Sequence, residues 1–158
     1  MATVIQQNTG YRPQEKDTHH QTKNILWVVP VARLFFSLIF IISGFIHFTS
    51  GSISYADSMG IPMADMLVPI TGLMIIIGGL SILLGLHARF GALLLLIFLV
   101  PVTLTMHRFW AIEDPQAAQM QMIQFFKNLS LIGGALLLSF YGAGPHSLDL
   151  RRARKKIS

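Results

Sequence analysis

The sequence predicts an all-α integral membrane protein, a bundle of four transmembrane helices. Three observations predict it. The 158 residues are 53% hydrophobic and only 12% charged, where soluble domains carry about 25% charged residues. The apolar residues fall into four long blocks, at about 26–48, 66–86, 90–106 and 123–141. None of these blocks shows strand-like alternation, and in lipid only helices or closed barrels satisfy the backbone. Helices of about 17–23 residues rise about 26–35 Å, which matches a hydrocarbon core of about 30 Å.

Residues 1–24 are polar and lack the apolar core and small-residue cleavage site of a secretion signal. They read as a cytoplasmic tail, followed by the transmembrane domain at 25–143 and a basic tail at 144–158. In the first span Arg33, Ser37, Phe40, Gly44 and His47 share one face by their three- and four-residue spacing. The second span places Thr71, Met74, Gly78, Ser81 and Gly85 on one face, with Gly79 beside Gly78. Small residues of this kind let membrane helices approach closely. The third span is the shortest and holds Pro101, which is expected to kink it; Val100, Thr103 and His107 align. The polar stretch 116–124 reads as a short surface helix, with Trp110 as an interfacial anchor. The last span aligns Asn128, Ile132, Ala135, Ser139 and Gly142. Gly142, Gly144 and Pro145 end it. Ser147 then caps a short basic helix, with Asp149 in its first turn.

The net charge is +5, and Arg151, Arg152, Arg154, Lys155 and Lys156 crowd the C-terminus. Beside a span, such a cluster reads as a topological signal facing lipid head groups, not as a nucleic-acid site. With Arg89 in the second connection, the Lys/Arg bias predicts both termini inside. His47, His107, Lys127, Asn128 and Thr71 then share one level near the outer leaflet, with Asp65 and Arg108 close by as interfacial residues. The histidines, Asn128 and Thr71 come from four different spans, and ionisable groups inside a membrane are functional candidates. Arg33 lies near the cytoplasmic side, as a topology anchor or a partner for a tail carboxylate such as Asp149.

Several classes are excluded or disfavoured. There are no cysteines, so disulfides, Cys-based zinc sites and thiol catalysis are ruled out for this chain. No span interior carries Asp or Glu, against a proton-coupled antiporter. No nucleotide-binding loop or serine-hydrolase motif occurs. No metal site is expected, and one histidine pair at helix ends is a weak signal for haem b.

SGFIHF at 43–48, MGIP at 59–62, IIGGLSILLGLHARFGALLL at 76–95, HRFW at 107–110, FKNLSLIGGALLL at 126–138 and GAGPHSLD at 142–149, with Arg33 opening the first span, together resemble the DoxX family. The resemblance runs over about residues 30–150. It implies a multi-pass protein of the bacterial inner membrane, associated with respiratory or thiol-redox complexes. Relatives often carry an acidic residue just before the second-span glycine pair; here Ile75 stands there. The expectation is a small redox-associated subunit, with His47, Thr71, His107, Lys127 and Asn128 around a quinone. Its partners would be the lipid bilayer and other membrane or redox proteins, with oligomerisation open. The competing expectation is a non-enzymatic assembly factor or chaperone.

Overall fold

The computed structural model describes residues 26–156, which are helical with no strand among them. Four long helices form the bundle: α1 (Val28–Ile46), α3 (Ala64–Leu84), α4 (Ala88–Met106) and α5 (Pro115–Tyr141). A nine-residue α2 (Ser50–Ser58) fills the first connection, a 3-10 turn (Phe109–Ala111) the third, and α6 (Leu148–Lys155) follows the last span. α1 packs on α3, α3 on α4, and α4 on α5. Residues 1–25, including the polar tail, lie outside the described residues, as do 157 and 158.

The core is narrow. Phe40, Ile75, Ile82, Ala92, Leu95 and Leu99 are buried, with Phe36, Phe98, Leu131 and Ile132 packed around them. Large apolar side chains point outward instead: Phe35 is 70% exposed, Ile97 63% and Phe140 73%. In water such a surface would be a defect; around a bundle it is the lipid-facing coat. Small residues bring the helices together. A Cβ built on Gly44 would lie 2.9 Å from the Gly72 carbonyl oxygen, and one on Gly72 would lie 2.9 Å from that of Gly44. Gly78 and Gly91 face each other in the same way, at 3.0 and 2.9 Å. The α1/α3 and α3/α4 contacts are therefore backbone against backbone. Phe36 of α1 reaches across to Gly134 of α5.

The inward face of α1 is the expected one: Arg33, Ser37, Phe40 and Gly44 are buried. That of α3 is turned from the expected stripe. Its buried residues are Ala64, Val68, Gly72, Ile75, Gly78, Gly79 and Ile82, so Thr71, Met74 and Ser81 sit at the margin. Ile75 is fully buried; a carboxylate there would face the apolar core. Val100 of α4 is exposed, whereas Thr103 is buried and donates its hydroxyl to the Leu99 carbonyl. Pro101 lies inside α4, which continues to Met106.

The surface helix expected at 116–124 is not separate; it forms the first turns of α5. Asp114 accepts a hydrogen bond from the Ala117 amide at 2.7 Å and Pro115 occupies the first turn, two standard start signals. At 27 residues, α5 is about 40 Å long, so its first turns project beyond a hydrocarbon layer of about 30 Å. The rings of Trp110 and Phe109 pack edge-on against Phe125, 5.7 and 5.6 Å between centroids. This fastens the 3-10 turn to α5 at interfacial height.

Candidate functional site

At one end of the bundle, α1 finishes at His47 under α2. The His47 Nδ1 lies 2.7 Å from the Ser43 carbonyl oxygen. A carbonyl can only accept, so Nδ1 carries a proton, and in the neutral ring Nε2 is then the acceptor. The His47 side chain passes Gly72 at its Cβ, and the glycine makes room for it: a Cβ on Gly72 would meet the His47 Cβ at 2.7 Å. The imidazole meets the Phe98 ring edge-on at 5.7 Å. One layer of the bundle thus holds His47, Gly72 and Phe98 from three helices.

His107 ends α4 at the same end. Its Nδ1 is 2.7 Å from Oε1 of Gln121, and Gln121 Nε2 donates to the Tyr55 hydroxyl at 3.2 Å. With the Gln121 amide in this orientation its oxygen is the acceptor, and the neutral His107 ring then carries its proton on Nδ1 and its lone pair on Nε2. This chain links α2, the end of α4 and α5. Gln121 and Tyr55 were not anticipated; Gln121 lay in a stretch read as surface, although it shares the helix of Asn128 and precedes it by seven residues, two turns.

The other expected site residues divide. Asn128 is buried on the inward face of α5, one turn before the core residue Ile132. Thr71 is half-buried and donates to the Val68 carbonyl at 2.8 Å; its neighbour Gly72, not Thr71, contacts His47. Lys127 lies on the exposed surface of α5, beside Asn128 in sequence but about 100° around the helix from it. The geometry therefore gathers His47 with its Gly72 and Phe98 contacts, and separately His107 with Gln121 and Tyr55. Among the described residues no group of three or more His, Cys, Asp or Glu is arranged for a metal ion.

The opposite end is built differently. Arg33 is 3% exposed. Its Nη2 donates to the His146 carbonyl at 2.8 Å and its Nη1 to the Ala143 carbonyl at 3.3 Å. Asp149, the expected carboxylate partner, is engaged elsewhere. Its two oxygens accept from the backbone amides of His87 and Ala88 at 2.9 and 3.3 Å, capping α4 where its dipole favours negative charge. The Asp149 amide in turn donates to the Gly85 carbonyl at 2.9 Å. Gly85 has φ +63°, and a Cβ there would collide with Arg33 Nη1 and with Ser147. Ser147 is buried and caps α6 through the Leu150 amide at 3.2 Å. Gly142, at φ +78°, ends α5 as expected. The Trp27 ring stacks on His146, 4.5 Å between centroids. This clasp joins α1, α3, α4 and α6.

The family model for DoxX matches residues 28–108. The chain belongs to the DoxX family. It is also 34% identical over 123 residues to the inner membrane protein YphA of Escherichia coli (strain K12), covering 77% of this chain and 87% of that protein. No solved structure matches it. This DoxX-family chain is a multi-pass protein of the bacterial inner membrane, with four helices long and apolar enough to cross it. The matched stretch contains Arg33, Gly85, His47 and His107. Lys127, Asn128 and the 142–149 half of the clasp lie beyond it.

The clasp leaves two buried atoms without partners among the described residues, Arg33 Nε and Ser37 Oγ. They belong to residues one turn apart on α1. Buried polar atoms of this kind are where ordered water is found in protein interiors. The guanidinium itself is held by neutral carbonyls, which fits a tether better than a reactive group.

Proposed function

We propose that this DoxX-family protein is a small subunit of a redox- or respiration-associated complex in the inner membrane, binding a quinone at its His47 end. The observation that carries this reading is the matched engagement of two histidines at one end of the bundle. Each has its Nδ1 held within the protein at 2.7 Å, by the Ser43 carbonyl and by the Gln121 amide, which leaves Nε2 of each ring for a ligand. A neutral imidazole accepts a hydrogen bond from a quinol hydroxyl; once protonated, it donates to a quinone carbonyl. Oxidising a quinol releases two protons and two electrons. The imidazoles can take protons, while the electrons pass to a redox protein in the same complex, since this chain has no cysteine to receive them. The excess of Lys and Arg at the clasp end supports placing that end in the cytoplasm and the His47 end at the outer leaflet.

The test is quinone extraction from protein purified in mild detergent, with binding measured for His47→Ala and His107→Ala. The expected result is a near-stoichiometric quinone in the wild type and at least a tenfold loss of affinity in each variant. Absence of quinone, together with unchanged respiration on deletion, would overturn the proposal.

A second reading, a membrane assembly factor, has one observation in its favour. The glycine faces of α1, α3 and α4 are used up inside the bundle, but Gly133 of α5 faces open space, as do Lys127 and Ser130 nearby. Crosslinking from α5 separates the two readings: a defined client that disappears on deletion, with both histidine variants harmless, favours this one.

A further inference from the structure

We infer that the clasp end holds a site for an anionic membrane phospholipid, with its phosphate in the cleft between the α3–α4 turn, the α5–α6 turn and α6. The inference is independent of the quinone reading and concerns the opposite end of the bundle.

The cleft contains a cavity of about 750 Å³, lined among others by Arg89, Phe90, Tyr141, Gly142 and Leu150, within the range of about 300–1,000 Å³ common to small-ligand sites. A second cavity of about 600 Å³ adjoins it, sharing His87 and Asp149 and continuing to Arg152, Lys155 and Lys156. The two form one groove with a graded wall. Its inner lip is apolar and faces the bilayer: Phe90 is 58% exposed and Tyr141 72%. Its outer lip is basic. That order, apolar to cationic along the direction from hydrocarbon to water, is the order of an acyl chain, a glycerol and a phosphate.

The charge balance favours an anion. Arg89, Arg152, Lys155 and Lys156 line the groove against a single carboxylate, Asp149. Asp149 offsets one of these four charges while its oxygens accept from the α4 amides, so the groove keeps a net positive charge. Behind the α5–α6 turn sits Arg33, whose hydrogen bonds go to uncharged carbonyls, adding positive potential. Gly142 keeps the approach open: a Cβ there would stand 3.3 Å from Arg89 Nε, so the arginine lies directly across the turn. Basic pockets at the cytoplasmic side of membrane helices are suited to lipid phosphates. A choline or ethanolamine head group would place its own cation among these side chains. The favoured ligand is therefore a phosphoglycerol-type lipid with no cationic group.

The test is native mass spectrometry of the full chain in mild detergent, titrated separately with phosphatidylglycerol, phosphatidylcholine and inorganic phosphate. Phosphatidylglycerol is expected to bind at one equivalent at least tenfold more tightly than phosphatidylcholine, and inorganic phosphate at the same concentration should not displace it. Arg89→Ala should lower its retention at least fivefold, and the double variant Arg152→Ala/Lys155→Ala, on exposed turns of α6 away from the core, should do so even if Arg89→Ala is poorly folded. Arg108→Ala, at the other end, should leave retention unchanged. Equal binding of the two lipids, wild-type retention in the α6 double variant, or displacement by inorganic phosphate would each overturn the proposal, the last by showing a soluble-anion site.

Discussion

Replacing Gly85 by alanine tests whether the clasp holds the bundle together. Gly85 sits at φ +63°, a conformation that costs an alanine about 1–2 kcal/mol. The new Cβ would also collide with Arg33 Nη1 and would stand 2.5 Å from Ser147 Cβ. Moving the guanidinium away breaks its bond to the Ala143 carbonyl, which at 3.3 Å belongs at the weak end of charged hydrogen bonds, about 1.5 kcal/mol. Counting the collision and the lost bond once, because they describe the same displacement, gives about 3 kcal/mol. For a chain of 158 residues each kcal/mol shifts Tm by about 2–4 °C, so the expected fall is about 6–12 °C. Thermal unfolding in detergent, followed by tryptophan fluorescence, is the assay, since Trp27 stacks on His146 within the clasp. Gly51→Ala is the control: a Cβ there meets nothing within 4 Å. A Gly85→Ala protein melting within about 2 °C of wild type, or a control that falls as far, would refute the reasoning.

Asp149→Ala should destabilise by about 1–2 kcal/mol through loss of the α4 cap. Asp149→Asn, which keeps an acceptor but not the charge, should recover about half of that in the same melting assay. Gly133→Ala should raise Tm by about 1–4 °C in the isolated protein, since alanine favours the helix by about 0.5–1 kcal/mol and meets nothing on that face. A fall instead would mean that α5 closes on another helix in the purified protein.

The parts written in local pattern were readable from the sequence. Apolar blocks at 26–48 and 90–106 became Val28–Ile46 and Ala88–Met106, and the Gly142 stop and Ser147 cap followed from short-range turn chemistry. The start of α5 was missed although Asp114-Pro115 is a helix-start signal. The glutamines that follow lower the hydropathy, and hydropathy set the boundary. On α3 the choice of small and polar residues selected Thr71, Met74 and Ser81. The buried face is centred on Gly72, Ile75, Gly79 and Ile82, because close backbone contact rewards glycine and an apolar core rewards isoleucine. Arg33 was read as a topology anchor or as the partner of a tail carboxylate, because charge pairing is what a sequence displays. Its real acceptors are carbonyls 110 and 113 residues away, and every residue has one of those. The hydrogen-bonded chain from His107 through Gln121 to Tyr55 was hidden for the same reason: Tyr55 lies 66 residues from Gln121.

Arg33 reaches the bilayer long before residues 143–149 have been made. At about 5–20 residues per second of synthesis, the ribosome needs about 5–20 s to cover the distance between that arginine and its acceptors. During this interval the guanidinium lacks these two acceptors, and its flexible stem can carry it to the head-group layer or to water instead. Arrival of the last segment supplies both acceptors. The order of synthesis thereby makes these two hydrogen bonds among the last contacts the bundle can form, and a chain broken off before Ala143 has neither.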